Sequence, residues 1–596
     1  MLGGRRPIHG RTRRGTRHPA GRLCASSFFV FLSFALLSAA TNGVAAANDA
    51  TRETASLPPT QDLSVVGAVL PSPLSEADAR AYRTAFEAQA EAKWAAADKA
   101  LAKVQDKSLA GHVLAERYLD PKYKPKYAEL AAWLGRYADH PDAPALYRMA
   151  LRAKPKGLKG GPPRPAGAAD VGDRSGPRLT TDRIDPSATP DTAAEDEDSV
   201  ADADFDTGAP ENSASLILSG RAAEALAIAE QAVAKRGFNE GSAHWAAGLA
   251  AWRLGLYGRA ADHFEATAAS VAMSTQMRAA GAYWASRAHL AGKRPEKVSA
   301  WLRVAAKYPY TFYGLLAQRS LGLAPRFDWS RPILTDAGVE TLAAEQSGKR
   351  AFALLQVGER VRAERELRHM RPDGVEPARA LLALALQAEL PALAMTMAHR
   401  LEKLEGQRYD SAYYPIPHFQ PMAGFTLDRA LVFAVMRHES GFNAAAKSRA
   451  GARGLMQLMP KTASFMAQDR TLAGAGRDRL YDPAFNLELG QKYLAHLLDH
   501  DTVQGDLSNL LAAYNAGPGN LAKWQRKISH GDDPLLFIEA IPVQETRAFV
   551  RHVLASYWIY SARLGQEAPS LEAIAAGRWP IYISLDDRAG YRHAGN

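Results

Sequence analysis

The chain has 596 residues and 47% hydrophobic residues, which excludes a wholly disordered protein and leaves room for two or more cores. Its formal charge of +10 invites a nucleic-acid partner, but Arg5, Arg6, Arg11, Arg13, Arg14, Arg17 and Arg22 carry seven of those charges. Without them the charge falls to +3, too weakly basic to support such a partner, and the single cysteine, Cys24, lies beside this basic stretch, so the rest of the chain has neither a disulfide framework nor a cysteine metal site.

Residues 1–47 read as a signal peptide: a basic start, an apolar run near Phe28–Ala40, and the small residues Ala45, Ala46 and Ala47 before Asn48. The apolar run is shorter than the ~20 residues of a spanning helix, so cleavage and no stable membrane span are expected. Residues 48–153 form an Ala-rich helical segment. Residues 154–213 turn to Pro, Gly, Ala and Asp, with an acidic run from Glu195 to Asp206, and are expected to be a disordered linker.

Residues 214–405 are again helical. Trp245, Gly248, Leu249, Trp252, Leu254, Gly255, Tyr257, Ala260, Ala261 and Phe264 have the pattern of a tetratricopeptide-like helix pair. Small residues at 248 and 260 would let the two helices approach closely, and the aromatics would fill the space between pairs. Such a pair cannot bury its face alone, which implies a stacked superhelix with a surface for a long ligand or a partner protein. A second unit spans residues 282–322. Residues 406–425 form a Pro- and Tyr-rich connector, residues 426–575 a last compact helical domain, and residues 576–596 a C-terminal tail. No segment shows the apolar/polar alternation of a sheet, so the expected fold class is all-α.

Within the last domain, Thr426 is placed to cap a helix through Leu427, Ala430, Leu431, Ala434, Val435 and His438, which Ser440–Gly441 ends. Glu439 then lies at the last turn of an apolar helix. The negative end of the helix dipole and the apolar surroundings both raise its pKa, as a general acid working near neutral pH requires. Position alone favours the solvated helix-end glutamate over this acid, because charged side chains usually face water. Gly454 permits a positive φ or a close backbone approach. Met456 and Met459 suit either a sugar face or a core. Gly517–Pro518–Gly519 ends the helix carrying Tyr514, and Asn520 can cap the next one. His438–Glu439 begins like the zinc motif HExxH, but Phe442 stands where the second histidine is needed, so no metal and no cofactor are expected.

Four blocks occur in order: ESGFNAAAKSRAGARGLMQLMPKTA from Glu439, then NLELGQKYLAHLL, LLAAYNAGPGNLAKW and IPVQETRAFVRHVLASY. On these blocks the chain resembles the soluble lytic murein transglycosylases, whose catalytic domain is goose-type-lysozyme-like. The resemblance covers residues 426–564 and, through YPYTFYGLLAQRSLG, part of the superhelix. It implies a helical superhelix followed by a lysozyme-like catalytic domain. It implies Glu439 as the catalytic acid/base, and Ser440, Ser448, Gly454, Met456, Gln457, Met459, Tyr514, Asn515 and Glu545 as substrate-binding residues. One departure is Phe549, where the family commonly has tyrosine.

The implied activity is cleavage of the β-1,4 bond between N-acetylmuramic acid and N-acetylglucosamine in peptidoglycan, leaving 1,6-anhydromuramyl ends, in the periplasm. The single indicated acid, with no obvious nucleophile, suits this route better than the usual pair of carboxylates. The alternatives are a water-using lysozyme-type muramidase and a repeat scaffold that binds peptidoglycan without cutting it. Expected partners are glycan strands and, through the superhelix, cell-wall, divisome or secretion proteins. No nucleic acid is expected.

Overall fold

The computed structural model describes residues 67–120, 122–166, 220–235 and 240–586, all within one unit spanning residues 65–596. The residues expected as a signal peptide, and residues 167–213 of the expected linker, lie outside the described residues. Every element of regular structure among the described residues is helical, apart from three isolated bridges. No described helix is long and apolar enough to cross a membrane.

The N-terminal segment forms α1 (Glu76–Ala90), α2 (Trp94–Lys103), α3 (Ala110–Leu119), α4 (Tyr127–Arg136) and α5 (Ala143–Ala153). The superhelix follows as α6 (Ala222–Ala234), α7 (Glu240–Arg253), α8 (Tyr257–Ala269), α9 (Thr275–Ala291), α10 (Pro295–Ala305), α11 (Phe312–Ser320), α12 (Asp336–Ala344), α13 (Gln346–Gln356), α14 (Arg360–His369), α15 (Val375–Gln387) and α16 (Pro391–Glu405). The short α17 (Asp410–Tyr413) lies in the connector. The last domain contains α18 (Arg429–Ser440), α19 (Pro460–Ala467), α20 (Pro483–Leu498), α21 (Leu507–Ala516), α22 (Pro518–Lys527), α23 (Pro534–Glu539), α24 (Gln544–Arg563) and α25 (Pro569–Ala575).

Close packing of α7 on α8 depends on Gly248, because a Cβ there would lie 2.6 Å from the Phe264 ring. Trp245, Phe264 and Trp284 are buried together, with Trp252 edge-on to Trp284. These aromatics also join the superhelix to the last domain. Trp284 donates to the Tyr313 hydroxyl (2.9 Å), which donates to Glu539 (2.6 Å), and Arg551 pairs with the same carboxylate. Arg287 stacks over Trp252 and Trp284 while binding Asp533 at 2.6 Å.

The N-terminal helices dock on α13 and α14 through a buried polar chain. The Asp142 N–H donates to His140 Nδ1, so His140 carries its proton on Nε2 and donates to His112 Nδ1 (2.9 Å). His112 in turn donates from Nε2 to Glu366 (2.8 Å), which Arg350 holds through two further bonds. Hydrogen bonding thus assigns both rings as neutral, each in one tautomer.

The helix bearing Glu439 starts later than expected. It begins at Arg429, and Thr426 is exposed, its N–H donating to Gln491. Asp428 precedes the helix without capping it; its carboxylate instead accepts the N–H groups of Leu585 and Asp586. The Asp586 carboxylate accepts the Arg429 N–H (2.9 Å), so the helix start and the C-terminal segment satisfy each other. Of the residues expected as a tail, Tyr582 to Asp586 therefore pack against the start of α18.

Candidate active site

Helix α18 is buried from Ala430 to Met436 and packs on α24. Gly441, at φ +53°, ends it in the left-handed conformation. This leaves Glu439 in the last turn, partly buried. Among the described residues no hydrogen bond or ion pair reaches its carboxyl. Burial, and then the charge of Glu545, push its pKa up to about 8. At neutral pH the group is therefore mainly protonated and able to donate.

The loop of residues 446–459 is built around Gly454. Its φ is +78°, and a Cβ would lie 2.2 Å from the Leu480 carbonyl and 2.3 Å from Asn486 Nδ2. Asn486 is fully buried on α20 and fixes the loop. It accepts from the Met456 N–H and donates to the Arg453 and Leu480 carbonyls. Sequence reasoning missed Asn486, although it opens the NLELG block. Gln457 sits at φ +43°, a conformation that costs a non-glycine residue on the order of 1–3 kcal/mol. Its side-chain N–H groups donate to the Ala446 and Gly454 carbonyls, leaving its oxygen free of them. Met459, 41% exposed, precedes α19. Ser448 is partly exposed, and its hydroxyl accepts from the Ala452 N–H.

Two expected contacts turn into the protein instead. Ser440 is buried, with its hydroxyl against the Leu455 (2.8 Å) and Met436 carbonyls. Met456 is fully buried against Gly490, where a Cβ would lie 2.6 Å from the Met456 side chain. Its backbone remains part of the site, because the Tyr514 hydroxyl donates to the Met456 carbonyl at 2.7 Å.

Helix α21 brings Tyr514 and Asn515 to the same place. Burial, and then the nearby Glu439, push the Tyr514 phenol well above its ordinary pKa, so it stays protonated. Phe549 lies parallel to the Tyr514 ring, with centroids 6.3 Å apart, at the position where the family commonly has tyrosine. Asn515 accepts from the Thr546 hydroxyl at 2.6 Å. Glu545, in the first turn of α24, is exposed. Helix α22 starts at Pro518 after Gly517 (φ +87°), and Asn520 lies within it, donating to the Ala516 carbonyl, rather than capping it. Phe442, at the failed zinc-motif position, is fully buried.

Among the described residues, helices place a raised carboxyl without a hydrogen-bond partner beside a loop of fixed polar groups, an arrangement capable of acid/base chemistry. In comparison with known proteins, residues 418–537 match the family model described as Transglycosylase SLT domain. The soluble lytic murein transglycosylase of Escherichia coli (strain K12) is 34% identical over 157 residues, covering 26% of this chain and 24% of that protein. The protein of the same name from Salmonella typhimurium is 34% identical over 145 residues, covering 24% and 22%. The chain thus spans about a quarter of the length of the curated relatives it matches. Among solved structures, an inactive mutant of the lytic transglycosylase Slt from Pseudomonas aeruginosa aligns with TM-score 0.48 and 22% identity, covering 81% of this chain and 72% of that one. The 70-kDa soluble lytic transglycosylase from Escherichia coli aligns with TM-score 0.44 and 15% identity, covering 85% and 99%.

Proposed function

We propose that this protein is a peptidoglycan lytic transglycosylase, exported to the periplasm by residues 1–47. The observation that carries this reading is Glu439: a carboxyl kept neutral near physiological pH, without a hydrogen-bond partner, inside a segment that matches the SLT domain.

In this reading Glu439 donates its proton to the glycosidic oxygen between N-acetylmuramic acid and N-acetylglucosamine. The bond from C1 to that oxygen breaks, and the N-acetylglucosamine side leaves as an alcohol. The 2-acetamido group stabilises the positive charge at C1. Glu439, now a carboxylate, takes the proton of the 6-hydroxyl on the same muramyl residue as O6 bonds to C1. Glu439 is thereby restored, no water is consumed, and the product ends in a 1,6-anhydro ring. Attack within one ring is favoured because held proximity supplies up to ~7–11 kcal/mol.

Gln457, Met459, Ser448 and Asn515 line the strand in this reading, with Met459 against a sugar face. Gly454 shapes the loop, and Tyr514 holds it through Met456. Glu545 keeps Glu439 neutral. The superhelix is the surface for further cell-wall or secretion proteins.

The test is Glu439→Gln. The variant should bind purified sacculi as wild type does and release no soluble fragments. Full activity in that variant would remove Glu439 from the mechanism, and a wild type that binds sacculi without releasing fragments would make the protein a scaffold.

A further inference from the structure

We infer that Thr546 is a positioning residue that holds the Asn515 side-chain amide in one orientation, with its N–H donors presented to an oxygen of the bound glycan. The inference deepens the transglycosylase reading and rests on it.

Thr546 is fully buried in the first turn of α24, while Asn515 is partly buried next to the end of α21. An amide side chain can turn either its oxygen or its nitrogen toward a hydroxyl, and the two arrangements differ in length. The separation of 2.6 Å belongs to O–H···O bonds and is short for N–H···O bonds. The Thr546 hydroxyl therefore donates to Asn515 Oδ1, and Nδ2 points away from it. No described residue accepts from Nδ2, and that atom is not among the buried polar atoms left without a partner, so it is open to solvent.

Its neighbours are held from the same helix. Phe549, three residues after Thr546 and on the same face of α24, lies flat against Tyr514, whose hydroxyl reaches Met456 in the loop beside Glu439. Gln457 is fixed with the opposite polarity, its N–H groups used inward. The site thus offers an oriented acceptor at Gln457 and an oriented donor at Asn515. A chain rich in hydroxyl and acetamido groups, each both donor and acceptor, matches that pair.

The test is a double-mutant cycle on sacculi digestion by the full chain. Thr546→Val keeps the shape and removes the hydroxyl, so the amide can turn over. Asn515→Asp keeps an oxygen for Thr546 and removes the N–H donors. Each single variant should lower kcat/KM by about tenfold, the order expected for one hydrogen bond. Thr546→Ser should recover most of the loss. The combined variant should be no worse than Asn515→Asp alone, because both changes remove one interaction. A purely structural role would instead lower Tm in Thr546→Val and give losses that multiply. That pattern, or an unchanged kcat/KM in Thr546→Val, would overturn the inference. Wild type that releases no fragments would overturn the underlying activity, a result visible before any variant is made.

Discussion

The Glu545 carboxylate helps to keep the Glu439 carboxyl neutral: after burial, its charge is the second cause that raises the Glu439 pKa to about 8. The two acids sit at opposite kinds of helix end. Glu439 lies in the last turn of α18, where the dipole disfavours a negative charge, and Glu545 in the first turn of α24, where the dipole favours one. The second carboxylate thus adds to burial in disfavouring a charge on the first.

This arrangement predicts a pH profile. If Glu439 acts as the proposed proton donor, it is competent below its pKa, so kcat/KM should fall as pH rises through about 8. Glu545→Gln removes one cause of the elevation, so its high-pH limb should move to lower pH. Burial, the larger cause, remains, so the limb should stay above pH 4.5, the ordinary glutamate value. Initial rates of sacculi solubilisation between pH 5 and 10 measure both limbs.

A raised carboxyl also weakens the fold. The unfolded chain releases this proton near pH 4.5, whereas the folded chain retains it to about 8. Stability is therefore lost progressively as pH rises from 4.5 to 8. Glu439→Gln removes the ionisable group, so it should raise Tm at pH 7.5 by several degrees and leave it unchanged near pH 4. Differential scanning calorimetry at the two pH values checks the sign and the window.

Gly454→Ala should fail for a steric reason. Its Cβ would meet a backbone oxygen at 2.2 Å at a positive φ, so the loop must shift or strain. The expected cost is roughly 2–5 kcal/mol, combining backbone strain and overpacking. Asn486→Ala should also displace the loop by freeing its three bonds. Both variants should lose activity through misplaced Gln457, visible as a loss of glycan binding as well as turnover.

The chain from His140 through His112 to Glu366 predicts acid sensitivity at the docking of the N-terminal helices. Burial, and then the repulsion that a second charged ring at His112 would exert, hold His140 down to about pH 3; burial, and then Arg362, hold His112 well below its ordinary value. Arg350 and Arg365 also oppose a second positive charge there, while Asp142 and Glu366 favour one. The unfolded chain takes up both protons near pH 6.5 and the folded one does not, so stability is present above 6.5 and lost as pH falls below it. The limiting slope is about 2.7 kcal/mol per pH unit for two protons. Trp133 lies edge-on to His140 at 5.0 Å, so its fluorescence during urea titrations at pH 7 and 5 reports the loss. His112→Gln should reduce the slope by about half.

Local chemistry made much of this legible. The end of α18 at Gly441, the raised pKa of Glu439 and the need for glycine at positions 248 and 454 follow from short stretches of sequence. What a side chain faces does not. Ser440 and Met456 lie in the expected blocks, but Leu455 and Gly490 draw them inward, and Gly490 is more than thirty residues away. Asn486 and Thr546 bond to other elements, so neither forms a local pattern. The start of α18 differs from the expectation because its first N–H, that of Arg429, is met by Asp586 from far along the chain rather than by Thr426. The sequence pattern of the superhelix aromatics indicates packing alone, yet Trp284 also donates to Tyr313, whose hydroxyl reaches Glu539 in the last domain.

The central claim, that Glu439 directs an attack within the sugar rather than by water, is tested most directly by digesting sacculi in water enriched in oxygen-18 and weighing the released fragments. The account predicts muramyl ends that lack one water and carry no heavy oxygen, and no fragments at all from Glu439→Gln. Reducing ends carrying one heavy oxygen each would contradict it.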